Sequence, residues 1–372
     1  MRAVLVHDWL TGMRGGEKVL ETLAELFPDA PLLTLVHRRG AVSAALESHP
    51  IQVSFLGRLP GAERYYRRLL PLYPAAAASL RVPPCDLLLS SSHAAAKAVR
   101  KPRGAVHVCY CHTPMRYLWD LYADYFAPGR AGPLTRLAMR VARGPLRRWD
   151  LGTAAQVDHW IANSENVRER IRRLYGRESH VLHPWVDLER FTPDRAGSAP
   201  GERYLVVSAL VPYKRIDLAI AAARARGVGL DVIGTGPEEK KLRSIAGNSV
   251  SFHGWLDDEG LARAYRGARA LLRPGEEDFG IAPLEAMASG RPVIAYGRGG
   301  ALETVAAGRT GILFAPQTAA ALAGAMAECE AAAWDPAAIR AHAERFSRQG
   351  FLAAARAHLC GLGLLDAGAV GA

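Results

Sequence analysis

Cysteine is scarce in this 372-residue sequence: Cys85, Cys109, Cys111, Cys329 and Cys360 are the whole complement, and none forms a CxxC pair. An odd count without such a pair supports neither a zinc site nor a disulfide framework, and a reducing compartment is expected. Cys109 and Cys111 flank Tyr110 at strand spacing, which reads as buried packing. Long apolar runs are also missing. Ala3 to Val6 meets His7 and Asp8 before it could become a signal-peptide core, and nothing approaches the roughly 18 uninterrupted apolar residues of a membrane span. The expectation is a cytoplasmic protein, soluble or peripheral on the inner face of the membrane. Acidic residues are thin in one segment: between Arg58 and Asp150 there are sixteen basic side chains and five acidic ones, enough to account for the whole-chain charge of +11. A basic face there could meet anionic lipid, a phosphorylated substrate or nucleic acid, or serve only as a solvated surface.

What is present is a globular composition, 49% hydrophobic and 22% charged, in a chain long enough for two cores. Strand Ala3 to His7, a loop with Gly12, Gly15 and Gly16, and a helix carrying Val19, Leu20, Leu23, Leu26 and Phe27 at a 3.6-residue period open a Rossmann-like unit. Further strands are expected at Asp86 to Leu89, Ala105 to Cys109, His159 to Ala162 and His180 to Leu182. From Arg190 the text turns to Pro, Gly and small polar residues, as a linker does. A second alternation follows, with strands at Tyr204 to Leu210, Leu230 to Ile233, Val250 to His253, Ala270 to Leu272, Pro292 to Ala295 and Gly311 to Phe314. Helices are expected at Ile216 to Arg226, Glu238 to Ala246, Asp258 to Gly267 and Ile281 to Ser289. The fold class is α/β, two doubly wound domains in series. The boundaries read as 1–195, 202–335 and a helical tail 336–372 that returns to the first domain.

The most informative segment is EDFGIAPLEAMASGRPVIA, Glu277 to Ala295. Phe279, Gly280 and Ile281 stand at a helix mouth, where a glycine lets backbone amides and the positive helix end approach an anionic diphosphate. Glu285 on that helix can accept hydrogen bonds from a ribose diol, and Glu277 sits in the entry loop. Acidic residues in a first helical turn also favour the helix dipole, a purely structural use. Gly234 and Gly236 end another strand, at the sheet edge where open α/β folds take ligands.

The segment resembles the EX7E motif of the retaining glycosyltransferases of family 4, which have the GT-B fold of two Rossmann-like domains facing across a cleft. SALVPYKRIDLAI, residues 208–220, is similar to that family's first strand, loop and helix in the donor domain. The resemblance implies that Lys214 meets the donor diphosphate, with Glu277 beside the sugar. Many members carry an arginine five residues before this lysine; here Ala209 stands there, so either Arg215 or another basic residue compensates, or diphosphate binding leans more heavily on Lys214. TGMRGGEKVLE resembles the family's glycine-rich loop, which implies that Gly15 and Gly16 approach the donor phosphates across the cleft. CHTPMRYLWDLY implies that His112 lies near the transferred sugar. IANSENVRERI and HPWVDLERF resemble interdomain elements. Arg273 stands where an apolar residue is expected.

The pattern GGEKVLE, YCHTPMRYLWD and VPYKRID most resembles bacterial mannosyltransferases of O-antigen and exopolysaccharide assembly. It implies GDP-mannose as donor, a polyprenyl-diphosphate-linked saccharide as acceptor, an anionic membrane surface as partner, and neither metal nor nucleic acid. The alternatives are a GT-B enzyme using a UDP-sugar and, from another class, a basic nucleic-acid-binding protein. A nicotinamide oxidoreductase is disfavoured because Gly234 to Gly236 continues with Pro237 and Glu238 instead of a third glycine. No two aspartates stand in a DxD arrangement, as the metal-dependent transferases of the other major fold would require.

Overall fold

A computed structural model of the chain describes residues 1–127, 129, 131–194 and 201–366. Of the expected linker from Arg190, residues 195–200 lie outside the described residues, as does Arg130 of the basic segment, while Phe191 is buried. The chain divides into two compact units, Met1–Pro184 with the chain from Phe351 on, and Trp185–Gly350.

The first unit is a parallel sheet of seven strands: β1 (Ala3–Leu10), β2 (Leu32–His37), β3 (Ile51–Val53), β4 (Leu87–Ser92), β5 (Val106–Cys111), β6 (His159–Ala162) and β7 (His180–Val181). Their order is β3-β2-β1-β4-β5-β6-β7. β1 is buried over all its residues, as a central parallel strand covered on both faces must be. β2 and β3 went unread in the sequence. Leu-Leu-Thr-Leu-Val is a short unpunctuated apolar run without a period of its own, and the three residues of β3 form a half-buried edge. The expected strands at Asp86, Ala105 and His180 are present with ends displaced by at most three residues.

The second unit is a parallel sheet of six strands: β8 (Tyr204–Val207), β9 (Leu230–Ile233), β10 (Val250–Gly254), β11 (Leu271–Arg273), β12 (Val293–Tyr296) and β13 (Gly311–Phe314), in the order β10-β9-β8-β11-β12-β13. One core cluster packs helices Ile216–Arg226 and Ala319–Ala331 on one face of the sheet; a second packs helices Ile281–Ala288 and Pro336–Glu344 on the other. The tail is therefore divided: Ile339 and Ala343 are core residues of the second unit, whereas Phe351 packs edge-on to Tyr110, at 6.0 Å between ring centroids, in the first.

In each sheet the chain winds outward from its first strand and then returns to the other side of it. The reversal falls between β1 and β4 in the first unit and between β8 and β11 in the second. The carboxyl ends of strands at such a reversal form the crevice where open α/β sheets take ligands.

Candidate active site

In the second unit this crevice holds two cations and a carboxylate. The turn Pro212–Lys214 follows β8, and Arg215 after it is the one non-glycine residue at positive φ, 51°, among those described. Such a conformation costs a non-glycine residue about 1–2 kcal/mol and is found where a structure needs it. Glu277, in the loop after β11, accepts from both Lys214 Nζ and Arg273 Nη2 through the same Oε1 atom. Lys214 also lies over the Tyr213 ring, 5.1 Å from its centroid.

Glycines make this junction possible. A Cβ on Gly275 would stand 2.6 Å from Tyr213 O and 2.7 Å from Lys214 Cα, so only glycine lets the two loops touch. On the other side, a Cβ on Gly300 would stand 2.3 Å from Phe279 Cα, and the Gly300 amide donates to Glu277 O at 2.9 Å. The GG after β12 was the available signal for this contact, and sequence reading missed it.

Gly280 has φ +88° and caps helix Ile281–Ala288. Glu277 precedes that helix and Glu285 is its fifth residue, so neither occupies the first turn and the dipole does not explain the pair. Glu285 Oε2 instead accepts from Tyr265 Oη at 2.7 Å. Burial raises the Tyr265 phenol well above its ordinary range, helped by the Glu285 charge, so it stays a donor. Tyr265 carried no signal in the sequence beyond its place on an amphipathic helix.

The remaining expected donor residues divide by role. The Phe279 side chain is a core residue packed 5.9 Å from the Phe346 ring, leaving only its backbone for a ligand. Gly234 and Gly236 lie against the backbone of Ser208 and Leu210; an added Cβ would meet Ser208 O and Leu210 O at 1.9 and 2.4 Å. Both are required for packing of the loop after β8. Arg215 is paired with Asp217 at 3.1 Å, so its guanidinium is engaged locally.

In the first unit Gly15 and Gly16 open helix Gly15–Ala24, whose Glu17 accepts from the Arg14 amide at 3.1 Å. Gly16 lies on His112 and His7: a Cβ there would be 3.7 Å from each ring. Gly16 and His112, expected separately from two segments, are brought together here over a further set of side chains. Ser91 Oγ at the end of β4 bridges His112 Nε2 at 2.8 Å and His7 Nδ1 at 3.1 Å. Glu17 Oε1 stands 3.9 Å from His7 Nε2. The backbone beside them is fixed by Asp8, whose carboxylate accepts from the four amides of His93 to Ala96. Desolvation, with His93 and His7 nearby, holds His112 well below the ordinary histidine range, so its ring is neutral. Burial opposes ionisation of Glu17, but the hydrogen bond and charge of His7 outweigh it and lower its pKa. Asn163 and Ser164 have a local use: Ser164 caps helix Glu165–Tyr175 by accepting from Val167 N at 3.1 Å.

The basic segment is less of a face than its count implies. Lys97 is buried in an ion pair with Asp150 at 2.8 Å. Along helix Pro133–Ala154, Arg143 stacks over Tyr122 and Arg147 over Trp119, at 3.8 and 4.4 Å from the ring centroids, and both donate to Leu118 O. Arg136, Arg140, Arg143 and Arg147 recur every three or four residues along this helix, but the last two are taken up by this packing. What faces outward is Leu134, Leu137 and Val141 beside Arg140 and Arg148, with Leu134 83% and Val141 71% exposed. Arg64, Arg67 and Arg68 are exposed, but they lie on one short helical turn followed by a 3₁₀ segment.

A parallel α/β pair of units, with charge gathered at the reversal of the second sheet, is the architecture of nucleotide-sugar enzymes of GT-B type. The model of glycosyltransferase family 4 matches residues 13–190, and that of the glycosyl transferases group 1 matches residues 194–348. The chain belongs to glycosyltransferase family 4. It is 34% identical over 217 residues to a GDP-mannose-dependent alpha-(1-6)-phosphatidylinositol monomannoside mannosyltransferase of Mycobacterium tuberculosis, covering 50% of this chain and 55% of the relative. It is 31% identical over 182 residues to a D-inositol 3-phosphate glycosyltransferase of Mycobacteroides abscessus, covering 42% and 41%. The chain thus spans about half the length of the curated relatives it matches. Among solved structures, Anabaena HepE in complex with UDP matches with TM-score 0.69 and 19% identity over 97% of this chain and all of that one. Sucrose-phosphate synthase of Thermosynechococcus elongatus matches with TM-score 0.70 and 19% identity, over 98% and 99%. These likenesses establish the GT-B fold.

Proposed function

We propose that the protein is a retaining glycosyltransferase that moves mannose from GDP-mannose to a lipid-linked saccharide acceptor in cell-surface polysaccharide assembly. The observation that carries this reading is the junction of Lys214, Arg273 and Glu277 beside helix Ile281–Ala288, on which Glu285 is held by Tyr265. Lys214 is the group for charge developing on the leaving diphosphate. Glu285 is oriented to accept from the ribose diol. His112, neutral and fixed through Ser91, is a hydrogen-bonding group for the transferred sugar. In the mechanism usually proposed for this family, the leaving phosphate itself takes the acceptor's proton on the face it departs from, which retains the anomeric configuration. GDP-mannose is favoured because relatives at 34% identity are named for it. A UDP-sugar is the second reading, because a solved structure of the same fold holds UDP.

Among the described residues no helix is long and apolar enough to cross a membrane. The lipid-linked acceptor is met instead through helix Pro133–Ala154, whose outward Leu134, Leu137 and Val141 with Arg140 and Arg148 match an anionic interface. A thermal-shift panel of nucleotide sugars, run with and without EDTA, tests the donor site. A donor at 100 times its dissociation constant should stabilise the fold by about 2.7 kcal/mol. GDP-mannose should do so without metal, because Lys214, Arg273 and backbone amides supply the positive potential. A response to no nucleotide sugar would remove the proposal.

A further inference from the structure

We propose that Arg273 is a diphosphate-binding residue of this chain, bringing from the end of β11 the positive charge that the loop after β8 lacks at Ala209. The inference rests on the donor-site reading above and extends it to a residue that sequence comparison within the loop would not find.

Arg273 is the last residue of β11, after Leu271 and Leu272, both fully buried. It is only 7% exposed. An apolar side chain would suit this position on a central strand, so a buried guanidinium here needs a use. Its Nη1 donates to Val207 O, the last residue of β8, at 2.7 Å. The charge therefore stands over the start of the loop that carries Ala209, at the crevice where the two strands diverge. Its Nη2 donates to Glu277, and Nε is buried without a partner.

Lys214 and Arg273 share one carboxylate oxygen of Glu277. Desolvation lowers the Arg273 pKa from its ordinary value, and the Glu285 charge works against that shift. Arg215, the basic residue nearest in sequence to Lys214, is occupied by Asp217. A guanidinium held at the carboxyl end of a central strand, with a donor to spare and a lysine on the same carboxylate, suits the forked oxygens of a diphosphate. Glu277 then holds the two cations apart until the anion arrives.

Arg273→Gln removes the charge but leaves an amide able to donate to Val207 O, and Ala209→Arg/Arg273→Gln puts the charge back from the other loop. Calorimetric affinities for GDP and GMP, with steady-state kcat and KM for the donor, are the readouts. The expected result is that Arg273→Gln weakens GDP binding tenfold or more and GMP binding less than threefold, with kcat reduced roughly 100-fold. The double variant should recover at least tenfold of the GDP affinity. GDP affinity and kcat within threefold of wild type in Arg273→Gln would overturn the assignment. Equal losses for GDP and GMP, unrelieved in the double variant, would also overturn it, by making Arg273 a structural residue. If the wild-type protein binds neither GDP nor UDP, the donor-site reading itself fails and the assignment goes with it.

Discussion

Tyr265 donates its phenolic hydrogen to Glu285 at 2.7 Å from a fully buried position on helix Asp258–Gly267. Glu285 is thereby held in one rotamer before any ribose reaches it. Tyr265→Phe keeps the ring in the core and removes only the donor. A hydrogen bond to a charged group contributes about 1.5–3 kcal/mol, part of which the carboxylate regains from water. The expected outcome is a five- to tenfold rise in donor KM with kcat little changed. Donor kinetics check it, and an unaltered KM would separate Tyr265 from the site.

Glu277 accepts from both Lys214 and Arg273, so Glu277→Ala removes a carboxylate shared by two largely buried cations. Breaking a buried pair costs about 3–5 kcal/mol; the low end is expected because Lys214 keeps some contact with solvent. Denaturant unfolding measures the loss. A nucleoside diphosphate should restore more stability to this variant than to wild type, because the anion replaces the missing carboxylate. Equal stabilisation of the two proteins would contradict the charge accounting.

The pH dependence of the first unit is set by its buried histidines. Desolvation lowers His107 to about 3, and its Nε2 is bonded to Ser90 Oγ at 2.8 Å; His93 and His112 are lowered as well. In the unfolded chain these rings take up protons near pH 6.5, whereas in the fold they do not. Stability is therefore full above the unfolded value and falls as pH drops below it. For His107 alone the loss between pH 7 and pH 5 is about 2 kcal/mol. Carboxylates with lowered pKa, such as Glu17 and Asp158, lose their contribution only further down, below about pH 4.5. Urea midpoints at pH 7 and pH 5 for wild type and His107→Asn check this; the variant should show the shallower pH slope.

Much of this was legible in the sequence, for identifiable reasons. Strands β9 and β13 and helices Ile216–Arg226 and Asp258–Gly267 were read to the residue, because the second unit alternates strictly and its turns are marked by glycine and proline; in the first unit β6 was read as closely. Lys214, Glu277 and Glu285 stand in one contiguous pattern and were found. Tyr265, Ser91, His7 and Gly275 were not, because each acts through a partner 20 or more residues away. Arg273 was visible as an anomaly without a reason; its reason is Val207 O, 66 residues earlier. The basic face was smaller than its count because spacing carries no direction: Arg143 and Arg147 turn inward onto aromatic rings.

The outward face of helix Pro133–Ala154 should bind anionic vesicles through Leu134, Leu137 and Val141 as well as through charge. Each arginine near such a surface contributes about 1 kcal/mol. Co-sedimentation should weaken with salt, fall when Arg140 and Arg148 become Gln, and fall again when the three apolar residues become Ser. Changing Arg143 and Arg147 to Gln should instead lower thermal stability. Equal binding to neutral vesicles would contradict electrostatic docking.

The most direct test of the central claim is the anomeric configuration of the product made from GDP-mannose, read by NMR after transfer to a lipid-linked saccharide. An α-mannoside, formed by wild type and at least about 100-fold more slowly by Lys214→Ala, is the result predicted. A β-mannoside would contradict retention, and transfer from a UDP-sugar with none from GDP-mannose would contradict the donor.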